Sequence, residues 1–99
     1  MTKSRIGIIA GSGQFPKLFA EAARKAGREV VIVAHQGESW PELESIADRF
    51  CWVKLGQLGR IIGFFREHGV TEAVIEAANR AGIVVVGVEE LADGTLSLS

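Results

Sequence analysis

The residues best suited to chemistry lie directly after the first apolar run of the chain. Residues 6–10 are apolar, Gly11, Ser12 and Gly13 follow them, and a helical pattern of apolar residues begins at Phe15. A glycine turn between a strand and a helix lets backbone N–H groups approach a phosphate, and the positive end of the helix dipole favours the anion. Gly11, Ser12 and Gly13 are therefore candidate phosphate-binding residues. Ser12 is expected to bind through its hydroxyl rather than act as a nucleophile, because no G-x-S-x-G elbow surrounds it.

Two other interpretations of this glycine turn stay open. In the first it is a tight turn without a ligand, and in the second it belongs to a dinucleotide-binding site. A dinucleotide fingerprint would have its third glycine at position 16, where the chain has Pro16, and an acidic residue about 20 residues further on. The second apolar run instead ends in Ala34, His35 and Gln36. A nicotinamide-dependent oxidoreductase is therefore the weakest hypothesis.

Three further candidate residues follow the second and third apolar runs. His35 ends the second run, and Gly56 and Arg60 come after the third. Ligands of open α/β sheets bind at the carboxyl ends of the strands, so we expect these residues at the same rim as the glycine turn. His35 is interpreted either as a polar contact to a ligand or as a solvated loop histidine. Arg60 is either a phosphate ligand or a solvated helix charge.

Apolar runs and helical patterns alternate along the chain, and this alternation predicts the fold. Continuous apolar runs are typical of strands buried on both faces of a parallel sheet. The sequence predicts an α/β protein with a Rossmann-like three-layer fold, a mostly parallel sheet of about four strands, and a short edge hairpin at residues 95–98. One irregularity is that two helical patterns separate the third and fourth strands. The predicted strands are 5–10, 29–34, 50–55 and 83–88, and the predicted helices are 15–26, 41–48, 58–68 and 73–81.

Length and composition exclude several classes of function. A chain of 99 residues is expected to form a single domain, and a net charge of −1 does not favour nucleic acid or an anionic membrane. Cys51 is the single cysteine, so no internal disulfide forms and a reducing cytoplasm is the expected location. The apolar run before Gly11 is too short for a transmembrane segment. No cluster of His, Asp or Glu in the sequence supports a metal site.

Three stretches resemble a known family. Residues 6–16, 56–65 and 69–74 are similar to the amino-terminal domain of the LpxI-type UDP-2,3-diacylglucosamine pyrophosphatases. The resemblance implies a bacterial enzyme of lipid A biosynthesis. In that family a magnesium-dependent hydrolysis cuts the diphosphate of a UDP-sugar lipid, and the ligand lies between a Rossmann-like domain and a carboxyl-terminal domain. The resemblance adds Gln14 to the candidate ligand-binding residues.

The chain departs from the family pattern after residue 74. Residues 75–88 resemble the extreme carboxyl terminus of the family, so the chain joins residues 1–74 directly to 75–99 within one predicted domain, 1–99. The resemblance places the catalytic acidic residues of the family in the middle region of its members, and neither 1–74 nor 75–99 resembles that region. We therefore assign no catalytic residue and no metal ligand in this chain, although the family uses Mg²⁺.

Two functional hypotheses follow. The first is a truncated form of the family that binds a UDP-sugar lipid or a sugar phosphate at the glycine turn without catalysis, with its substrate at the periphery of a membrane. The second is a structural module without a small ligand that forms a homo-oligomer. The apolar run 83–88 is the expected assembly edge if no other strand of the chain pairs with it.

Overall fold

The computed structural model describes residues 4–76 and 83–94, and the structural statements that follow concern these residues. They form strands and helices in alternation, as the sequence predicts. The elements are β1 (Arg5–Ala10), α1 (Phe15–Lys25), β2 (Glu29–His35), α2 (Leu43–Ile46), β3 (Arg49–Val53), α3 (Leu58–Glu67), β4 (Glu72–Glu76), β5 (Ile83–Gly87) and α4 (Val88–Asp93).

The described strands form one sheet in the order β3-β2-β1-β4-β5. β1 pairs in parallel with β2 and with β4, β2 pairs in parallel with β3, and β5 pairs with β4 in antiparallel orientation. The chain first builds outward from β1 to β3 and then returns to the other side of β1 with β4. This reversal creates a switch point between β1 and β4, the position at which open α/β sheets bind ligands. The α/β, Rossmann-like fold with a mostly parallel sheet is confirmed.

Helices cover both faces of the sheet and divide the core into two layers. Ile6, Ile8 and Val30 pack on the face covered by α1 and α2. Ile9 and Val31 point to the opposite face, which α3 and α4 cover. β1 and β2 are buried almost throughout because each presents apolar side chains to both layers.

Close packing between α3 and β1 requires a glycine on the central strand. A Cβ atom placed on Gly7 would lie 2.9 Å from Cε1 of Phe65 and 3.0 Å from Cγ1 of Val70. Both of these side chains are buried. The absence of a side chain at Gly7 therefore lets the Phe65 ring lie directly against the backbone of β1.

The helix predicted at 73–81 is wrong where the structure describes it, because residues 72–76 form β4. Ala73, Val74 and Ile75 pair with three consecutive residues of β1 and, on the other side, with β5. The apolar run is short enough to fit the periodicity of a helix or that of a strand. It forms a strand because it pairs with the edge of β1 that β2 leaves open. The sheet thus has five strands among the described residues rather than about four. Residues 77–81 and the predicted hairpin at 95–98 lie outside the described residues.

The end of the described chain contains a helix that the sequence patterns do not predict. α4 follows β5 directly and packs against α3, with Leu91 buried in the layer shared by the two helices. Arg66 on α3 and Glu89 on α4 form a bidentate pair, with hydrogen bonds of 2.9 and 2.6 Å. This pairing raises the pKa of Arg66 and lowers the pKa of Glu89. Both side chains are exposed, so the pair contributes little to the stability of the fold.

Candidate ligand-binding site

Three loops that follow β1, β2 and β3 lie at one rim of the sheet, because these strands are parallel. The loop after β1 contains the glycine turn, the loop after β2 begins beside His35, and the loop after β3 contains Gly56. Arg60 lies in the first turn of α3, directly after that third loop. All the predicted site residues therefore lie at the same rim, namely Gly11, Ser12, Gly13, Gln14, His35, Gly56 and Arg60.

The glycine turn combines a left-handed backbone with open space. Gly13 has a φ of +89°, a conformation that residues with a Cβ rarely adopt, and no atom lies within 4 Å of a Cβ built on Gly11 or Gly13. Ser12, Gly13 and Gln14 are exposed. A group approaching from solvent can therefore reach the backbone of this turn without displacing a side chain of the described residues.

The amino terminus of α1 carries no side-chain cap. Gln14 occupies the cap position without a side-chain hydrogen bond to the helix, and the first turn contains no acidic residue. Pro16 lies in that turn, where its missing N–H costs no helical hydrogen bond. The remaining N–H groups and the positive end of the helix dipole thus face the rim without neutralisation by a carboxylate of the described helix.

A compact hydrogen-bond network holds the carboxyl end of β1 against the loop after β2. The Ala10 carbonyl accepts a hydrogen bond of 2.9 Å from Ser39 Oγ, and His35 Nδ1 lies 2.8 Å from the same oxygen. Because a carbonyl only accepts, Nδ1 of His35 carries the proton in this contact. The backbone N–H of His35 donates in turn to Ser39 Oγ over 2.9 Å.

This network gives His35 a structural role that neither sequence interpretation included. Nδ1 binds the carbonyl of Ala10, the residue immediately before the glycine turn. Nε2 has no hydrogen-bond partner among the described residues. Ser39 is buried and was missed as part of the site, since nothing in its local sequence indicates a bond to Ala10, 29 residues earlier. A short polar residue in a glycine-containing loop is the signal that could have suggested it.

The loop after β3 is a separate, well-defined turn. Lys54 N–H donates to Gln57 Oε1 over 2.7 Å, and Gly56 takes a φ of +85°. β3 is two strands away from β1, which corresponds to about 10 Å at the usual strand spacing. Gly56 and Arg60 therefore lie on the side of β1 opposite to the β1–β4 switch point. A ligand would have to extend across β2 to reach both the glycine turn and Arg60.

No cluster of metal-ligating side chains occurs among the described residues. They contain no group of three or more His, Cys, Asp and Glu side chains placed to hold a metal ion. We therefore assign no residue as a ligand of Mg²⁺ and no step to the ion. Within the same residues, no helix is both long and apolar enough to cross a bilayer.

Comparison with known families shows which family the chain is similar to. The model of the LpxI N-terminal domain matches residues 5–78. The matched region includes the three rim loops and ends four residues beyond position 74, where the sequence resemblance was placed. Neither the curated proteins nor the solved structures provide a match.

Proposed function

Because the chain belongs to the LpxI family through its amino-terminal domain, we propose that residues 11–14 bind the phosphate groups of a UDP-sugar lipid or of a sugar phosphate. The observation that carries this proposal is the exposed glycine turn leading into an uncapped helix at the carboxyl end of the central strand. Backbone N–H groups at such a helix start bind phosphate without a cationic side chain. In this proposal the rest of the ligand lies at the neighbouring switch point, the position at which open α/β sheets bind ligands.

The His35 and Ser39 network supports this proposal by preorganising the turn. Both bonds to Ala10 hold the residue immediately before Gly11, so the start of the turn is held in place before a ligand arrives. A site that needs no rearrangement loses less affinity to conformational ordering. His35 therefore acts as a positioning residue for the turn, and its free Nε2 is the atom available for a polar ligand group.

We propose further that these residues bind the ligand without hydrolysing it. In the family that the sequence resembles, the catalytic acidic residues belong to the middle region, which residues 75–88 do not resemble. The glycine turn offers hydrogen-bond donors and a positive dipole, which bind an anion. Hydrolysis of a diphosphate also needs an activated water, and the proposed site assigns no residue to that task.

A thermal-shift titration tests the binding proposal, with UMP, UDP-N-acetylglucosamine and a diacylglucosamine phosphate as ligands. At about 100 times its dissociation constant a ligand adds about 2.7 kcal/mol to the free energy of unfolding. This corresponds to a rise in Tm of roughly 10–20 °C for a domain of this size. A cooperative melt with no shift for any of the three ligands would refute the binding proposal.

Two glycines at opposite ends of α1 form a matched pair of variants. Gly13 and Gly27 both have a positive φ, and a Cβ on either meets nothing within 4 Å. Gly13→Ala and Gly27→Ala should therefore lose similar stability, about 1–2 kcal/mol each. The ligand-induced shift should disappear for Gly13→Ala and persist for Gly27→Ala. Gly11→Val adds bulk beside the turn without a positive φ, so it tests the same point if Gly13→Ala does not fold.

A homo-oligomeric structural module is the second candidate function, and the exposed face of β5 favours it. The condition set from the sequence, that no other strand of the chain pairs with 83–88, is not met, because β5 pairs with β4. The other side of β5 is nevertheless an edge of the described sheet, with Ile83 50% exposed and Val85 58% exposed. Apolar edge strands pair readily with other chains. Light scattering coupled to size exclusion tests this candidate: association that Val85→Lys abolishes would support it, and a monomer at all concentrations would exclude it.

A further inference from the structure

An exposed apolar loop lies at one corner of the rim, away from the glycine turn. Leu55 is 77% exposed and Leu58 is 42% exposed, although leucine side chains are usually buried. They lie between Lys54 and Arg60, whose side chains are also exposed. The loop therefore presents two leucines flanked by two cations to solvent, and neither the fold nor the phosphate site explains this arrangement.

The chain segment that contains this loop carries charge of one sign. Residues 49–66 contain four basic residues and no acidic residue, although the chain as a whole has a net charge of −1. Lys54 and Arg60 form no ion pair with the residues that the structure describes. Their charges are thus available to an anionic partner, in contrast to Arg66, which pairs with Glu89 at the far end of α3.

The turn holds the two leucines in a defined arrangement. Gln57 closes the loop by accepting a hydrogen bond from Lys54 N–H and by donating its own N–H to the Lys54 carbonyl. Gly56 takes the left-handed conformation between them, and Leu58 begins α3. The side chains are therefore presented by a closed turn and a helix start, so little conformational entropy is lost when they are buried.

The position of β3 makes this corner accessible to a large surface. β3 is an edge strand, so its carboxyl-terminal loop has a neighbouring loop on one side only. That neighbour, the loop after β2, carries Glu38 and Glu42, which an anionic surface would repel. A planar anionic surface would therefore contact the corner at 54–60 and leave the acidic loop at its margin.

We propose that residues 54–60 dock this domain on an anionic lipid bilayer. Leu55 and Leu58 enter the boundary between headgroups and acyl chains, while Lys54 and Arg60 keep their charged ends at the level of the lipid phosphates. Two exposed leucines with two cations give a reversible, salt-sensitive contact rather than a permanent anchor. The inference depends on this loop alone and stands whether or not a sugar phosphate binds at residues 11–14.

Co-sedimentation of the full chain with vesicles tests the proposal. The chain should bind vesicles that contain phosphatidylglycerol, bind vesicles of phosphatidylcholine alone much more weakly, and dissociate as salt is raised. Each cation near an anionic surface raises partitioning by roughly fivefold, so Lys54→Glu with Arg60→Glu should weaken binding by at least about 25-fold. Leu55→Ser with Leu58→Ser should weaken it by roughly tenfold or more.

Two matched controls locate the contact. Val85→Ser changes an apolar residue of similar exposure on the opposite edge of the sheet. Lys25→Glu reverses an exposed cation in the last turn of α1, the end of that helix farther from the rim. Both controls should bind as the unchanged chain does. All six side chains are exposed, so the melting temperatures of the variants should agree to within about 4 °C. Absence of binding to anionic vesicles, or equal losses in the control and loop variants, would overturn the proposal.

Discussion

Replacement of Gly7 by alanine provides the most direct test of how the sheet and α3 fit together. The new Cβ would lie 2.9 Å from Cε1 and 3.0 Å from Cζ of Phe65, and 3.0 Å from Cγ1 of Val70, whereas ordinary contacts are 3.4–4 Å. Phe65 is fully buried, so its ring has no solvent to move into. Either the ring or α3 must therefore shift.

The magnitude follows from two opposing contributions. Overpacking a well-packed core costs about 1–3 kcal/mol, while alanine in a strand gains about 0.5–1 kcal/mol over glycine. We expect Gly7→Ala to lower the free energy of unfolding by about 1–2 kcal/mol. For a domain of this size the Tm should fall by roughly 5–15 °C.

Urea denaturation followed by circular dichroism measures this difference through the midpoint at constant m-value. Gly11→Ala is the matched control, because a Cβ on Gly11 meets nothing within 4 Å and should change stability by less than about 0.5 kcal/mol. In a Phe65→Leu background the cost of Gly7→Ala should shrink by about 1 kcal/mol, since the ring atoms that clash are gone. Equal stability of Gly7→Ala and Gly11→Ala, or an unchanged cost in the Phe65→Leu background, would refute the reasoning.

Two further predictions concern the rim network and the helix pair. Ser39→Ala removes a donor to the buried end of β1 and the acceptor of the His35 N–H, so it should cost about 1–3 kcal/mol in urea denaturation, and Ser39→Thr should recover part of the loss. Unchanged stability of Ser39→Ala would contradict the network. Glu89→Gln should lower stability slightly at neutral pH, because Arg66 depresses the pKa of the folded Glu89 carboxyl and so stabilises the folded state above the unfolded pKa. The difference from the unchanged chain should disappear as the pH falls through that depressed pKa, and a difference that persists in strong acid would contradict this account.

The placement of the site follows from strand direction more than from any single side chain. Parallel pairing of β1, β2 and β3 brings three loops, separated along the chain by about 20 residues each, to the same rim. The same topology also separates them: the glycine turn adjoins the switch point, while the loop with Leu55 lies at the outer corner. The two proposals of phosphate binding and lipid docking therefore use different parts of one rim, and independent variants can test each.

The amino-acid sequence by itself determined the features that depend on local patterns. Continuous apolar runs identified β1 and β2 as strands buried on both faces, and the glycine turn before Phe15 marked the start of α1. These predictions succeeded because burial on two faces and helix initiation each require particular residue types at nearby positions. The family resemblance seen in the sequence up to residue 74 depends on local motifs as well, and the family model matches residues 5–78.

Only the tertiary structure decided which residues meet across long separations. Residues 73–75 carry an apolar run too short to distinguish a helix from a strand, and the vacant edge of β1 made it β4. The bonds from His35 and Ser39 to Ala10 join residues 25 and 29 positions apart. Such contacts arise when the sheet places two loops side by side, because hydrogen-bond geometry depends on the positions of strands in space and not on the residues adjacent in sequence.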